Sequence, residues 1–162
     1  MKGVLMGLIF KDDRKESEIL LRWWQSLLED KGARAELRRC HELTEIFMQP
    51  AFYRLFNSLK NFGDIFEDGL AVVAGLLSHV KKTIPTIKIS AQMSQGEKPV
   101  ISDLRFRKLL KIQNHSELYP AMIRIIKHLD GTVNIIDLSN SVYFWNDRTK
   151  KESAFNYYKN IQ

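Results

Sequence analysis

Cysteine, proline and glycine are all scarce in this sequence of 162 residues, which has one cysteine, four prolines and eight glycines. A single cysteine, Cys40, excludes an intramolecular disulfide, and no CxxC pair or cysteine–histidine series suggests a zinc site. Such low cysteine usage is typical of a reducing cytosolic compartment. Hydrophobic residues make up 44% and charged residues 27%, which excludes disordered, collagen-like and disulfide-scaffold classes.

Long hydrophobic runs are also missing. Beyond the N terminus the longest apolar run, residues 69–77, is far below the ~20 residues that a membrane span needs. The N-terminal segment MKGVLMGLIF begins like a signal peptide, but its apolar stretch is short and KDDRKE follows directly, without a small-residue cleavage site. We therefore expect no signal peptide, no membrane partner and a cytoplasmic location.

Motifs that carry chemistry are missing as well. The segment HELTE at 41–45 lacks the second histidine of a zincin motif, and there is no phosphate-binding loop and no GxSxG. Asp64, Glu67 and Asp68 share a helix start, where acidic residues complement the helix dipole. The sequence predicts no catalytic residue, no metal site and no cofactor. The enzymatic alternative is a small helical nuclease that uses Asp64, Glu67 or Asp68. Four histidines lack ligand-like spacing: His41, His79, His115 and His128.

A helical pattern runs along nearly the whole chain. In residues 18–30 apolar positions recur at three- and four-residue spacing, with Ser17 as the expected N-cap and Gly32 as the expected stop. Further helices are predicted at 33–41, 51–59 and 64–82, from the N-cap Ser102 to about 113, from 116 or 117 to 129, and at 135–145 after the N-cap Asn134. A last helix begins at Asp147 or Thr149, where Thr149 and Glu152 match a capping box. The fold class is therefore all-α, with seven to eight helices in a compact bundle or in two tightly packed small bundles.

The helical pattern breaks at residues 83–99, which contain two prolines, Gly96 and a mixture of serine, glutamine and lysine. We expect this segment to be a loop that connects an N-terminal helical bundle, 1–82, to a C-terminal one, 100–162. A short strand at 86–89 would have no obvious partner.

Positive charge is concentrated in the second half of the chain. Residues 1–81 hold 12 basic and 12 acidic side chains, whereas residues 82–162 hold 13 basic and 7 acidic ones, so the net charge of +6 comes entirely from the second half. Such an asymmetry makes a polyanion a plausible partner.

Basic side chains also form stripes on three predicted helices, each beside an apolar stripe. Between Lys98 and Lys127 only Asp103 and Glu117 are acidic. Arg107, Lys108 and Lys111 are expected on one side of their helix, at whose boundary Arg105 lies. The complete set, helix by helix, is Arg34, Arg38 and Arg39; Arg105, Arg107, Lys108 and Lys111; and Arg124 and Lys127.

These stripes have two readings besides the ordinary one of a solvated face. The planar guanidinium fork of arginine suits phosphate contacts, and it also pairs with carboxylates. From spacing alone, nucleic acid and an acidic protein surface remain equally open as partners. No helix-turn-helix, zinc-finger or RRM signature is present, so base-specific reading is not indicated.

Several segments, taken in order, carry a resemblance to a known family. LLRWWQSLLED is followed by RAELRR at 34–39, PAFYRLF at 50–56 and GLAVVAGLLSHV at 69–80. VISDLRFRKLL at 100–110, AMIRIIKHL and an aromatic tail complete the set. Over about residues 17–158 the sequence resembles the small CasB-type subunit of type I-E Cascade, the CRISPR RNA-guided surveillance complex of bacteria.

The resemblance implies an all-α protein of two small bundles with no catalytic role. It implies two copies within the complex, arranged head to tail, together with other Cascade subunits as partners. It also implies contacts to single-stranded DNA and RNA: the crRNA and target region, and the displaced strand of the R-loop, which the subunit stabilises in antiviral defence.

The family's basic residues correspond to some of the residues in the three basic stripes. The alternative function is a helical adaptor whose arginines pair with acidic protein surfaces. Lys108, Lys111 and Lys127 are added by the stripes. Arg54 also matches the family, with a buried ion pair as an equal alternative. Residues 1–10 and 83–99 match no family motif. The positions implied by the resemblance are Arg34, Arg38, Arg39, Arg105, Arg107 and Arg124.

Overall fold

A computed structural model describes residues 7–161. The described residues are 64% helical and form ten α-helices, eight of them longer than six residues. The all-α prediction is confirmed. The signal-peptide prediction concerns residues 1–10, of which 1–6 lie outside the described residues; Leu8 and Phe10 are buried in the core.

The helices follow one another along the chain, and two strands of two residues each pair with one another between them. A 3-10 helix at Lys60–Phe62 directly follows the helix that ends at Leu59. The α-helices are α1 (Lys15–Glu29), α2 (Lys31–Arg38), α3 (Leu43–Ile46), α4 (Pro50–Leu59), α5 (Glu67–Leu77), α6 (Ile89–Met93), α7 (Asp103–Leu110), α8 (His115–His128), α9 (Ile135–Tyr143) and α10 (Asp147–Tyr158), and the strands are β1 (Lys82–Thr83) and β2 (Thr132–Val133).

Helix α5 lies at the centre of the molecule, as its apolar composition predicts. Every residue from Gly69 to Leu77 is buried. The helix packs against α2, α3 and α4 and also against α8 and α9. It is shorter than the predicted 64–82, because the chain leaves the helix after Leu77 and enters β1. These five helices therefore take their positions from α5.

The start of α1 and the start of α2 differ from the prediction. Helix α1 begins at Lys15, and Ser17 is buried within it, where its hydroxyl has no hydrogen-bond partner among residues 7–161. Gly32 lies inside α2 and does not end α1. Asp30 separates the two helices, because its carboxylate accepts a hydrogen bond from the Ala33 N–H at 3.1 Å and so caps α2.

Other helix starts agree with the sequence signals. Pro50 occupies the first turn of α4, and the side chains of Ser102 and Asn134 cap α7 and α9. The last helix begins at Asp147 as expected, but its cap is Asn146, which accepts from the Thr149 N–H at 3.0 Å. Thr149 itself donates to the Phe144 carbonyl and forms no capping box.

Residues 83–99 contain more regular structure than a connecting loop. Helix α6 lies within them, with all five of its residues buried, and packs against α10. The strand considered at 86–89 does not form. The paired strand is β1, which runs parallel to β2 with Lys82 opposite Thr132. The division into two bundles stays a prediction. In the part of the chain that the structure describes, no helix is long and apolar enough to cross a membrane.

Candidate nucleic-acid interface

Helices α7 and α8 form a cleft that carries positive charge on both walls. Buried Phe106 and Leu109 turn one side of α7 towards the core, so Arg105 and Lys108, three residues apart, lie together on its outer side. Arg124 and His128 lie four residues apart on α8 and form the opposite wall. The cleft has a volume of about 280 Å³.

The floor of the cleft is aliphatic. It arises because α8 buries Leu118, Met122 and Ile126 and presents its flank to α7. No carboxylate, amide or hydroxyl side chain lines the cleft in the described part of the chain. The floor residues are Ile101, Leu109, Ile112, Ala121 and Ile125.

A hydrogen bond across the cleft holds Arg105. Its Nη1 lies 2.6 Å from His128 Nε2, and His128 Nδ1 lies 2.8 Å from the Arg124 carbonyl oxygen. A carbonyl only accepts, so Nδ1 carries the ring proton and Nε2 accepts from the guanidinium. The contact therefore requires a neutral His128, and it orients Arg105 across the cleft.

Helix α2 brings a further positive charge to α8, beside His79 at the end of α5. The pKa of His79 is lowered to about 4, first by burial and then by the charges of Arg38, Lys127 and Arg34. His79 Nε2 is buried and has no hydrogen-bond partner within residues 7–161. Arg38 and Lys127 come from helices 89 residues apart in sequence and act on the same imidazole.

Arg34 forms hydrogen bonds to backbone carbonyls just after the end of α5. Its Nε donates to the Ser78 carbonyl at 3.0 Å, and its Nη2 lies 3.5 Å from the Val80 carbonyl. A cation at the C-terminal end of α5 also complements the helix dipole. Burial, followed by the charge of Arg38, lowers the pKa of Arg34. The half-buried guanidinium is thus anchored to α5.

Arg107 does not share the cleft with Lys108, contrary to the predicted stripe. Its Nε donates to Asp103 Oδ1 at 3.2 Å and lies 3.4 Å from the Tyr158 hydroxyl on α10. The Tyr158 hydroxyl also donates to Asp103, and this bond is the first cause of the lowered pKa of that carboxyl, with Arg107 a further cause. Arg107 remains exposed, but it faces the α10 side of α7.

The remaining predicted residues divide by their partners. Arg39 forms an exposed ion pair with Glu36 at 2.5 Å, and Arg54 lies 4.0 Å from Asp30 in a pair that is exposed and not buried. Lys111 is the exposed C-cap residue of α7 and does not line the cleft. Within residues 7–161, seven of the nine predicted residues have no carboxylate within 4.0 Å: Arg34, Arg38, Arg105, Lys108, Lys111, Arg124 and Lys127.

Five of these seven, all exposed, follow one another from α2 across α8 to α7. We call Arg38, Lys127, Arg124, Arg105 and Lys108 the basic strip. His79 connects its first two members, and the cleft connects its last three. Helix α8 lies in the middle, so the three predicted helices contribute to neighbouring positions.

Residues 33–158 match the family model of CRISPR-associated protein Cse2. The chain belongs to this family. The match confirms the resemblance to the CasB-type small subunit. Among curated proteins, none is similar to the chain at a significant level.

The fold of this Cse2-family chain is also similar to a solved one. A chain in the crystal structure of E. coli Cascade bound to a PAM-containing dsDNA target with a 32-nt spacer superposes with a TM-score of 0.72. The match covers 90% of this chain and 95% of that chain at 19% sequence identity. At that identity the similarity establishes the shared fold.

Sequence reasoning missed one basic residue of the Cse2-family chain near the strip. The Lys81 and Lys82 N–H groups both donate to the Gly131 carbonyl, at 2.7 and 3.2 Å. This pairing places exposed Lys81 beside the turn that follows Lys127 and α8. The adjacent lysines are visible in the sequence, but their neighbour depends on a strand pairing of only two residues.

The positions considered for chemistry have ordinary structural roles. Glu67 and Asp68 lie in the first turn of α5, where they complement the helix dipole. Cys40 is buried, and burial, followed by Glu45 and Glu36, raises the pKa of its thiol. Residues 7–161 contain no group of three His, Cys, Asp or Glu side chains placed to hold a metal ion.

Proposed function

We propose that this chain is a non-catalytic small subunit of a type I-E Cascade complex, and that its basic strip contacts single-stranded nucleic acid through phosphates. Membership of the Cse2 family supports the complex. The observation that carries the contact is the row of exposed cations without carboxylate partners in the described chain.

Phosphate neutralisation gives such a surface affinity that tolerates sequence. Each lysine or arginine that meets a phosphate releases condensed counterions, and this electrostatic term supplies most sequence-independent binding. The aliphatic floor of the cleft offers no side-chain group that reads base edges. The strip therefore suits the displaced DNA strand and the guide RNA and target region, whose sequences vary.

A few such contacts suffice for R-loop stabilisation. In RNA-guided recognition, the exchange of a DNA duplex for an RNA–DNA duplex is nearly balanced in free energy, so modest contacts to the displaced strand shift it. Within the complex, this chain also contacts other Cascade subunits and a second copy of itself. We place the complex in the cytoplasm. The strip is the part of this chain that we assign to nucleic acid.

The test is reconstitution of the complex with strip variants. Tagged wild-type chain is expected to co-purify with a crRNA-bearing complex that binds a double-stranded target. K108E/R124E is expected to co-purify equally well, while the assembled complex binds the target at least tenfold more weakly. A matched control, K15E/R22E, makes the same change of charge at exposed positions of α1 and is expected to behave as wild type.

The adaptor alternative gives a different pattern. If the strip pairs with an acidic protein surface, K108E/R124E fails to co-purify, whereas any complex that does assemble binds its target normally. Failure of the wild-type chain to co-purify with crRNA would contradict the proposed place in Cascade.

A further inference from the structure

The cleft between α7 and α8 is more than a row of surface charges, because it has an apolar interior. A phosphate backbone lying on the surface would need only the cations. Five aliphatic residues close the floor, and Arg105 is fixed across the opening by His128. An apolar cavity with cations on both walls fits a ligand with a flat apolar body and negative charge on either side.

The volume limits the size of that body. Pockets for drug-sized ligands measure ~300–1,000 Å³, and this cleft, at about 280 Å³, lies just below that range. It therefore accommodates one ring system. A single nucleotide unit of a strand has this form, since each base is flanked by a phosphate on both sides.

The polar groups at the rim have the matching character. Lys108 and the guanidinium groups of Arg105 and Arg124 are donors only, and no carboxylate lies within 4.0 Å of them among residues 7–161. Arg105 on one wall and Arg124 on the other can meet consecutive phosphates. The guanidinium plane of Arg105 is also a surface on which bases stack in single-stranded complexes.

We infer that the α7–α8 cleft receives one unstacked base of a bound single strand, while the flanking phosphates lie on Arg105, Lys108 and Arg124. This inference rests on the proposed function and adds a base-binding site to it. Because the aliphatic floor of the cleft has no polar side-chain group that distinguishes base edges, the site accepts different bases. A bulky substitution at Ala121, which is half-buried in the floor, fills the cleft without changing its charge.

The experiment compares two strands with equal numbers of phosphates. Labelled oligo-dT and a fully abasic strand of the same length are titrated with the full chain by fluorescence anisotropy. We expect oligo-dT to bind on the order of fivefold more tightly, at the lower end of base-stacking contributions. A121F is expected to reduce the difference to less than twofold, whereas K108A/R124A weakens binding of both strands.

A second readout covers the case in which A121F does not fold. In wild-type protein, methyl NMR signals of Ile112, Ala121 and Ile125 are expected to shift with oligo-dT and not with the abasic strand. Equal affinity for the two strands, with equal methyl shifts, would overturn the base site while leaving phosphate binding in place. Absence of binding to either strand would overturn the proposed function as well. A difference that persists in folded A121F would place the base elsewhere.

Discussion

Arg34 and Arg38 lie one turn apart on α2, yet their guanidinium groups have different surroundings. Arg34 donates to the Ser78 carbonyl at the end of α5 and is half-buried. Arg38 is exposed and acts on the same region only through its charge, which contributes to the lowered pKa of His79. The two residues look equivalent in the segment RAELRR, but of the two only Arg34 forms hydrogen bonds to the backbone at the end of α5.

Their alanine variants should therefore differ in stability. R34A removes charged hydrogen bonds and a favourable helix-end charge, so the free energy of unfolding should fall by about 1–3 kcal/mol. R38A, the matched control, should change it by less than about 0.5 kcal/mol. Urea denaturation followed by circular dichroism measures both values, and equal effects would refute the anchoring role of Arg34.

His79 gives the fold a dependence on pH. Its pKa is about 4 in the folded chain against ~6.5 when unfolded, so the unfolded chain binds the proton more readily between these values. The contribution to stability is complete above about pH 6.5 and is lost as the pH falls towards 4. After allowance for partial exposure, we expect roughly 1–2 kcal/mol.

The measurement compares wild type with H79Q, which cannot titrate. The free energy of unfolding is determined for both between pH 7 and 4.5, so that carboxylate titration common to the two proteins cancels. Wild type should lose more stability on acidification than H79Q. Parallel curves would contradict the assignment.

For single residues, the sequence predicts part of the candidate nucleic-acid interface. Helical spacing predicts Lys108 on the basic side of α7 with Arg105 at its boundary, and Arg124 on the basic side of α8. The structure brings all three to the cleft. The orientation of Arg107 could not be predicted, because it depends on Tyr158, 51 residues later. The ring proton of His128 likewise depends on contacts that no spacing reveals.

At the scale of elements, α5 can lie at the centre because its neighbours approach closely at Gly75. A Cβ at this position would stand 2.6 Å from Ile46 Cδ1 and 2.6 Å from Tyr119 Cε1. The Tyr119 hydroxyl donates to the Cys40 carbonyl at 2.9 Å and is therefore not free to move aside. Gly75 thus sets the distance between α5, α3 and α8.

The expected cost of a methyl group follows from this contact. G75A should lower the free energy of unfolding by about 1–3 kcal/mol through overpacking. G32A is the matched control, because the nearest atom to its Cβ, Asp30 Oδ1, is 3.7 Å away; it should stabilise α2 by about 0.5–1 kcal/mol. Thermal denaturation measures the stability of both variants. A G75A variant as stable as wild type would contradict the close packing at Gly75.

The start of a helix could be predicted where a capping side chain directly precedes an apolar repeat. It could not be predicted where tertiary packing sets the position of the helix. Ser102 and Asn134 precede apolar repeats and cap their helices. Ser17 has the same appearance, but α1 begins before it, at Lys15, and buries Glu16 and Ser17 inside its first turn. Helix α6 was missed because its stability comes from burial against α10 and not from its own five residues.

At the scale of the whole molecule, the fold changes the meaning of the charge distribution. The net charge of +6 belongs to the second half, yet the basic strip includes Arg38 from the neutral half, and Lys81 lies nearby. Helices α2 and α8 pack on the same central helix α5, which brings these charges together. Counting charges along the chain points to a polyanion but does not locate the surface.

The salt dependence of single-strand binding tests the central claim most directly. Anisotropy of a labelled single strand, titrated with the full chain at several salt concentrations, gives the slope of log affinity against log salt. We predict a negative slope, less steep by about 1.4 in K108A/R124A, since each phosphate contact contributes about 0.7, and unchanged in K15A/R22A. An affinity that does not fall with salt, or equal slopes in the two variants, would contradict the basic strip as the nucleic-acid surface.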